Sequence, residues 1–145
     1  MRTGGCQCGQ IRYAITGEAL ALYVCHCLEC QKQSASAFSV SLQVQSAGFR
    51  LTQGEPKEWT RDTDSGNRLV CAFCPNCGSR LFHRPAAADG EALVGNAWPG
   101  DTMTVKAGSL DEPVDLRPAT HIWVSRKLPG VEIPEGAAQF PEEPA

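Results

Sequence analysis

Residues 25–30 of the chain read Cys25-His26-Cys27-Leu28-Glu29-Cys30, which places three thiols in the spacing C-x-C-x-x-C. If the backbone is extended from 24 to 27, Cys25 and Cys27 point to the same face, because side chains on a strand alternate with a period of two. A tight turn then brings the third sulfur, that of Cys30, to the same ion. Three thiolates leave one position of a tetrahedral zinc site open, as catalytic sites do, whereas structural sites have four protein ligands.

Two further cysteine pairs lie outside this stretch. Residues 5–9 contain a C-x-C pair, and residues 73–78 contain a C-P-x-C-G knuckle. Together the two pairs supply the four thiolates of a closed zinc site, namely Cys6, Cys8, Cys74 and Cys77. The first stretch then forms a second site with three thiolates, and Cys71 is the eighth cysteine, assigned to neither site.

The residues alone leave alternatives open. The cysteines could form disulfides, although residues 1–5 show no apolar segment of an export signal, and such spacings in a cytosolic protein favour metal ligands. Cys71, His83 or His121 could complete the second site and make it a structural one. Cys71 could instead replace Cys77 or react with a substrate, and iron could replace zinc in the four-thiolate site.

The motifs resemble those of a known family. Residues 4–13 (GGCQCGQIRY) resemble the opening motif G-G-C-x-C-G-x-x-R-Y of the glutathione-dependent formaldehyde-activating (GFA) enzymes. Residues 25–30 match the C-H-C-x-x-C motif of that family, and residues 73–81 match its F-C-x-x-C-G-[ST]-x-L motif. Residues 107–111 and 121–124 are similar to its later G-[ST]-L-D and H-I-W segments. The resemblance extends over about the first 130 residues.

This resemblance implies a fold, two cofactors and a reaction. The fold is a β-tent, a β-domain stapled by zinc, and two Zn²⁺ ions are expected per chain. The implied structural zinc has the ligands Cys6, Cys8, Cys74 and Cys77, and the implied catalytic zinc has the ligands Cys25, Cys27 and Cys30. The implied partners are glutathione and formaldehyde. The implied enzyme is a carbon–sulfur lyase that forms or cleaves S-hydroxymethylglutathione.

A function of another class remains as the alternative. A non-enzymatic zinc-binding module could bind a thiol, a protein partner or chromatin. A closed second site or a large exposed apolar patch would favour this module. A metal that solvent can reach would favour the enzyme, because a reactant needs an open coordination position.

Length and charge restrict the remaining possibilities. The chain has 145 residues, which suits one domain with a real hydrophobic core. The formal net charge of −3 gives no electrostatic reason to expect nucleic-acid binding. No apolar run approaches the roughly 18 residues that span a bilayer. We therefore expect a cytoplasmic protein that does not enter membranes, and the oligomeric state is not predicted.

Many short strands with regular turns predict an all-β domain. The clearest strand is 36–45, where apolar residues alternate with serines and glutamines. The other predicted strands are 10–16, 19–24, 49–52, 57–61, 68–73, 79–83, 91–97, 102–107 and 120–124, with 116–118 extended. Residues 28–34 are predicted to form one helical turn. We divide the chain into a zinc-binding β-domain at 1–130 and an irregular tail at 131–145, whose last five residues are expected to be frayed.

Substrate contacts are harder to predict than metal ligands. Basic side chains near the knuckles, Lys32, Arg80 and Arg84, could meet the carboxylates of glutathione, but most such residues are only solvated. We expect Trp98 and Trp123 to pack in the core, His26 to be a core or ligand-supporting group and Cys71 to be a buried apolar side chain. Residues 31–36 lack the glycine that the family often has after its third thiol, and Gly130 stands where the family tends to have tryptophan.

Overall fold

Two β-sheets form the domain. The structure is a computed structural model, and it describes residues 1–63, 66, 68–86 and 101–144. Within these ranges the chain forms one α-helix, α1 (Leu28–Ser34), and ten strands. The strands are β1 (Arg2–Gly5), β2 (Arg12–Ile15), β3 (Ala21–Cys25), β4 (Ser39–Gln45), β5 (Phe49–Gln53), β6 (Lys57–Asp62), β7 (Arg68–Phe73), β8 (Arg80–Pro85), β9 (Thr102–Lys106) and β10 (Thr120–Ile122).

The smaller sheet has the strand order β1-β2-β5, and the larger has the order β10-β3-β4-β9-β8-β7-β6. All pairings are antiparallel except that of β10 with β3. This architecture confirms the all-β class predicted from the sequence. No helix among the described residues is both long and apolar enough to cross a bilayer.

Most predicted strands are present, and the differences have local causes. The predicted strand 36–45 begins only at Ser39, because residues 35–38 close the end of α1: the Ser36 N–H donates to the Gln31 carbonyl, and the Ser34 hydroxyl donates to the Phe38 carbonyl. The prediction that 116–118 is extended is wrong, since the Ala119 N–H donates to the Leu116 carbonyl and closes a turn. Strand β1 was not predicted. The predicted strand 91–97 lies outside the described residues.

One face of the large sheet packs against the small sheet to form the main core. Tyr13 of β2 stacks on Phe49 of β5 with ring centroids 5.2 Å apart, and Phe49 meets Phe82 of β8 at 4.8 Å. All three rings are buried, and burying an aromatic side chain stabilises a fold by roughly 1.5–3 kcal/mol. Their contacts therefore hold the two sheets together.

The opposite face of the large sheet is polar. Residues that stand opposite each other in neighbouring strands share a face. The register places Tyr23 of β3, Ser41 of β4 and Lys106 of β9 in one such row. A second row contains Thr104 and His83. The serines and glutamines that alternate with the apolar residues of β4 therefore belong to a polar surface that continues across several strands.

The C-terminal segment runs beside β10. The His121 N–H donates to the Ala138 carbonyl at 2.9 Å, and the Phe140 N–H donates to the His121 carbonyl at 2.9 Å. The Trp123 N–H donates to the Glu142 carbonyl at 3.1 Å. The expectation that the last residues are frayed is therefore wrong for 141–143. The domain boundary at residue 130 stays a prediction.

Ala35 ends helix α1 in the left-handed conformation, with φ 50° and ψ 42°. This is the segment that lacks the glycine often found in the family. Left-handed backbone costs an L-residue about 1–2 kcal/mol. Glycine avoids this cost, but the greater freedom of its unfolded chain lowers the free energy of unfolding by about 0.5–1 kcal/mol. We expect Ala35→Gly to raise the free energy of unfolding by about 0.5–1 kcal/mol, measured by urea denaturation of the metal-loaded protein.

Ala21→Gly is the matched control, because Ala21 lies in β3 and has no left-handed backbone. This substitution should lower the free energy of unfolding by about 0.5–1 kcal/mol. If both variants lose stability to the same extent, the left-handed end of α1 is not a strained position.

Candidate metal centres and the adjoining cleft

Four thiols meet where the N-terminal turn approaches the turn between β7 and β8. The sulfurs of this four-thiol cluster all lie within 4.8 Å of one another and belong to Cys6, Cys8, Cys74 and Cys77. The Cys6 and Cys8 sulfurs are 3.6 Å apart, and the Cys8 and Cys74 sulfurs are 3.8 Å apart. Sulfurs bound to one zinc at about 2.3 Å are separated by about 3.8 Å at the tetrahedral angle. The cluster therefore has the size of a four-thiolate metal site.

The backbone around these thiols has the form of two knuckles. Gly9 follows Cys8 with φ 81°, and Gly78 follows Cys77 with φ 81°, a conformation that glycine adopts without steric cost. Backbone N–H groups point at the sulfurs: the Ile11 N–H donates to Cys6 Sγ at 3.2 Å. Such donors stabilise a thiolate, which is the metal-binding form of cysteine.

Hydrogen bonding also affects the acidity of this cluster. The Ser79 hydroxyl lies 3.3 Å from Cys77 Sγ, and this contact is the main cause that lowers the pKa of Cys77 to about 5. Burial raises the pKa of Cys74. One sulfur is thus ionised readily, and a divalent cation would compensate the ionisation of the others.

The second cluster, the three-thiol cluster, lies where β3 leads into α1. Cys25 ends β3, Cys27 is the N-cap of α1 with φ −65° and ψ 158°, and Cys30 lies in the first turn of the helix. Cys27 Sγ accepts a hydrogen bond from the Cys30 N–H at 3.3 Å. The extended backbone at Cys27 agrees with the predicted geometry, and the three sulfurs lie within 4.8 Å of one another.

These three thiols influence one another strongly. Hydrogen bonds from Cys25 and then Cys27 lower the pKa of Cys30, and the Ser39 hydroxyl acts in the same direction. Hydrogen bonds to Cys27 and Cys30 raise the pKa of Cys25. The three thiols therefore oppose one another's ionisation, and a divalent metal would allow all three to be thiolates.

The groups that could have closed the three-thiol cluster lie elsewhere. His121 Nδ1 is 2.9 Å from His26 Nε2, and the two rings stack. His26 is fully buried, as the expected core or supporting role requires. Neither Cys71 nor His83 belongs to the group of sulfurs within 4.8 Å. Within the described residues the cluster consists of three thiols, and none of the eight cysteines forms a disulfide.

A cleft of about 910 Å³ adjoins the three-thiol cluster. Its floor is the polar face of the seven-stranded sheet, and all three thiols of the cluster contribute to its wall. Representative other lining residues are Tyr23, Ser41, Arg61, His83, Thr104 and Lys106. Ligand pockets in proteins typically measure about 300–1,000 Å³. The cleft is therefore large enough for a small organic molecule whose sulfur reaches the thiol cluster.

Most of these lining residues were not predicted from the sequence. Of the basic candidates, Lys32 is exposed on α1, Arg84 is buried and pairs with Glu58 at 2.6 Å, and Arg80 lies over the Phe73 ring. The polar residues that alternate with apolar ones along β4 could have identified this lining from the sequence. Lys106 of β9 stands opposite Ser41 and belongs to the same face.

Two buried polar groups stand on the cleft floor. Lys106 is 8% exposed, and its ammonium donates to Ser41 Oγ at 2.8 Å and to Ser39 Oγ at 3.2 Å. Burial lowers the pKa of Lys106, while ionised Cys30 and Cys25 oppose this effect. Burial, and then the charge of Lys106, lower the pKa of His83 well below its ordinary value. His83 is thus a neutral imidazole at physiological pH.

Trp123 packs, partly buried, against the small hydrophobic cluster of Cys25, Cys30 and Ile122, and it also lines the cleft. Its backbone is left-handed at φ 55°, a strained conformation for a bulky residue. The indole N–H donates to Glu143 Oε1 at 2.9 Å. Phe140 packs with Cys25 and Ile122 beside the same cluster, so the C-terminal segment forms one wall of this region. Trp98 lies outside the described residues.

Comparisons with known proteins agree with this geometry. The sequence profile of the family described as glutathione-dependent formaldehyde-activating enzyme matches residues 1–126. The crystal structure of a Rhodobacter sphaeroides protein is similar in fold, with a TM-score of 0.53 at 17% identity. The match covers 79% of this chain and 92% of that protein. At this identity the likeness concerns the fold alone.

The two clusters and the spare thiol can be separated by metal analysis. We expect the zinc-reconstituted protein to hold two ions per chain and Cys27→Ser to hold one, because two thiolates and a hydroxyl make a weaker site. Cys71→Ala is the matched control and should keep both ions. The measurement is metal content by elemental analysis after reconstitution under reducing conditions.

Two results would contradict this assignment. Loss of an ion in Cys71→Ala would make Cys71 a ligand. A single ion in the fully reduced, reconstituted wild-type protein would mean that the three-thiol cluster does not hold metal.

Proposed function

Because this chain belongs to the glutathione-dependent formaldehyde-activating family, we propose that it is a carbon–sulfur lyase that forms or cleaves S-hydroxymethylglutathione. The observation that supports the proposal is the three-thiol cluster of Cys25, Cys27 and Cys30, which opens into a cleft of about 910 Å³. An open metal site beside a cleft suits a reaction, whereas a purely structural site has four protein ligands.

We propose Zn²⁺ for both clusters. All-thiolate ligation favours zinc among common cellular metals, and the four-thiol cluster of Cys6, Cys8, Cys74 and Cys77 suits a structural ion. When bound at the three-thiol cluster, the metal would supply a fourth coordination position that stabilises the substrate sulfur as a thiolate. Three protein thiolates already donate much charge to the ion, so its proposed role is to hold and orient the sulfur.

The reaction itself is an addition to a carbonyl group. The sulfur lone pair of glutathione forms a bond to the carbon of formaldehyde, and the π pair of the carbonyl moves to oxygen. The oxygen then takes up the proton that the thiol released. Cleavage is the same step in reverse. Because thiols add to formaldehyde without a catalyst, the contribution of the protein is mainly to bring the two reactants together.

The cleft residues offer suitable contacts for a peptide thiol. Glutathione carries two carboxylates, an ammonium group and amide groups. The hydroxyls of Tyr23 and Ser41 and the guanidinium of Arg61 line the cleft and can hydrogen-bond to such groups. Trp123 supplies an apolar wall. We propose a cytoplasmic location, because cellular reductants keep cysteine thiols reduced there.

The proposed activity can be tested by exchange spectroscopy. In an equilibrium mixture of glutathione and formaldehyde, the zinc-loaded protein should accelerate the exchange between free glutathione and S-hydroxymethylglutathione in proportion to protein concentration. Magnetisation-exchange NMR measures this rate above the spontaneous one. Cys27→Ser should return the exchange to the spontaneous rate, because the proposed thiolate position is lost, and Cys71→Ala should keep the acceleration.

Binding measured in parallel separates the alternatives. Glutathione that binds the wild-type protein without faster exchange would favour a thiol-binding module that is not an enzyme. The absence of both binding and acceleration in zinc-loaded protein would show the glutathione assignment to be wrong.

A further inference from the structure

Lys106 is a buried cation with no acidic partner among the described residues. Its side chain is 8% exposed, and the ion pairs found in the described part of the chain involve other residues. Its ammonium donates instead to the uncharged hydroxyls of Ser39 and Ser41. A buried charge is costly unless an opposite charge compensates it. A negative charge nearby would therefore stabilise the ammonium form of Lys106.

The three-thiol cluster is placed to supply that charge. Ser39 stands opposite Cys25 in the β3–β4 pairing, and Ser41 stands opposite Lys106 in the β4–β9 pairing. The Ser39 hydroxyl accepts from the Lys106 ammonium at 3.2 Å, and Lys106 lines the same cleft as Cys25 and Cys30. The ammonium thus lies beside the cluster, with Ser39 joining it to the strand position opposite Cys25.

The charge balance of the site shows why an ammonium beside the three-thiol cluster matters. A divalent ion with three thiolates carries one net negative charge, and a fourth thiolate would raise this to two. Two uncompensated charges are unfavourable in a partly buried site, so water or a neutral thiol would be preferred as the fourth ligand. The single positive charge of the Lys106 ammonium would reduce the net charge from two negative units to one.

We propose that Lys106, held by Ser39 and Ser41, is the positioning residue whose charge allows the three-thiol site to take an anionic thiolate as its fourth ligand. The inference rests on the proposed function and extends it, because it assigns the selection of a thiolate over water to one residue. Lys106 acts through the charge of the site and does not need to touch the substrate.

The other reading of Lys106 is that it binds a carboxylate of the substrate. A thiol without a carboxylate separates the two readings. The probe is therefore 2-mercaptoethanol, which is neutral apart from its sulfur. It is titrated into cobalt-loaded protein, whose visible spectrum reports a new sulfur ligand on the metal.

We expect Lys106→Met and Lys106→Gln to raise the dissociation constant for 2-mercaptoethanol by about tenfold or more, the range found when groups that support metal ligands are removed. Lys106→Arg, which keeps the charge, should bind within about threefold of wild type. Lys32→Met is the matched control, because Lys32 also lies near Cys30 in sequence but is exposed and screened by solvent. It should bind like wild type.

Each of the other outcomes contradicts either the charge role of Lys106 or the open site. If Lys106→Met and Lys106→Gln bind 2-mercaptoethanol normally but lose affinity for glutathione, Lys106 recognises a carboxylate and the inference is wrong. If Lys32→Met weakens binding equally, the overall charge is responsible. If the wild-type spectrum responds to no thiol, the proposed open site fails together with the inference. The cobalt spectrum of the four-thiol cluster shows that each variant is folded, and Lys106→Gln retains hydrogen bonding to the serines.

Discussion

The alternation of side chains along the strands of the large sheet is the constraint on which the rest of the molecule depends. One face carries Phe82 and Val105 into the core, and the other carries His83 and Lys106 into the cleft, although these residues are neighbours in the chain. The same strands therefore stabilise the fold and form the floor of the cleft. A shift of one residue in register would exchange the two sets of side chains, so correct folding and a correct cleft are one requirement.

The four-thiol cluster complements this constraint by linking the two sheets. It connects the turn between β1 and β2, which contains Cys6 and Cys8, to the turn between β7 and β8. The first pair of strands belongs to the small sheet and the second pair to the large sheet. Close to the same region, the Thr3 hydroxyl donates to Asp111, and the Arg12 guanidinium donates to Asp111 Oδ1 at 2.9 Å. Contacts between segments far apart in sequence thus fix the small sheet, which has only three strands.

Much of this organisation could be predicted from the sequence, because cysteine spacing and strand periodicity are local signals. The spacing of C-x-C and C-x-x-C grouped the same sulfurs that the structure brings together. The cleft was harder to predict, since its residues come from seven strands and share a face only through long-range register. Lys106 belongs to no local motif, and no local signal predicts the left-handed backbone of Trp123, at φ 55°.

The free edge of a β-sheet can pair with a strand of another chain. The two edges of the large sheet are protected from such pairing in different ways. The backbone of β10 is occupied on its outer side by the segment around Gln139, which forms a parallel bridge with His121. The far edge, β6, has no such cover among the described residues but carries charged side chains at Lys57, Glu58, Arg61 and Asp62. Charges on an edge strand oppose the addition of another chain. The C-terminal segment thus also opposes the addition of a neighbouring chain at the edge of the sheet beside the three-thiol cluster.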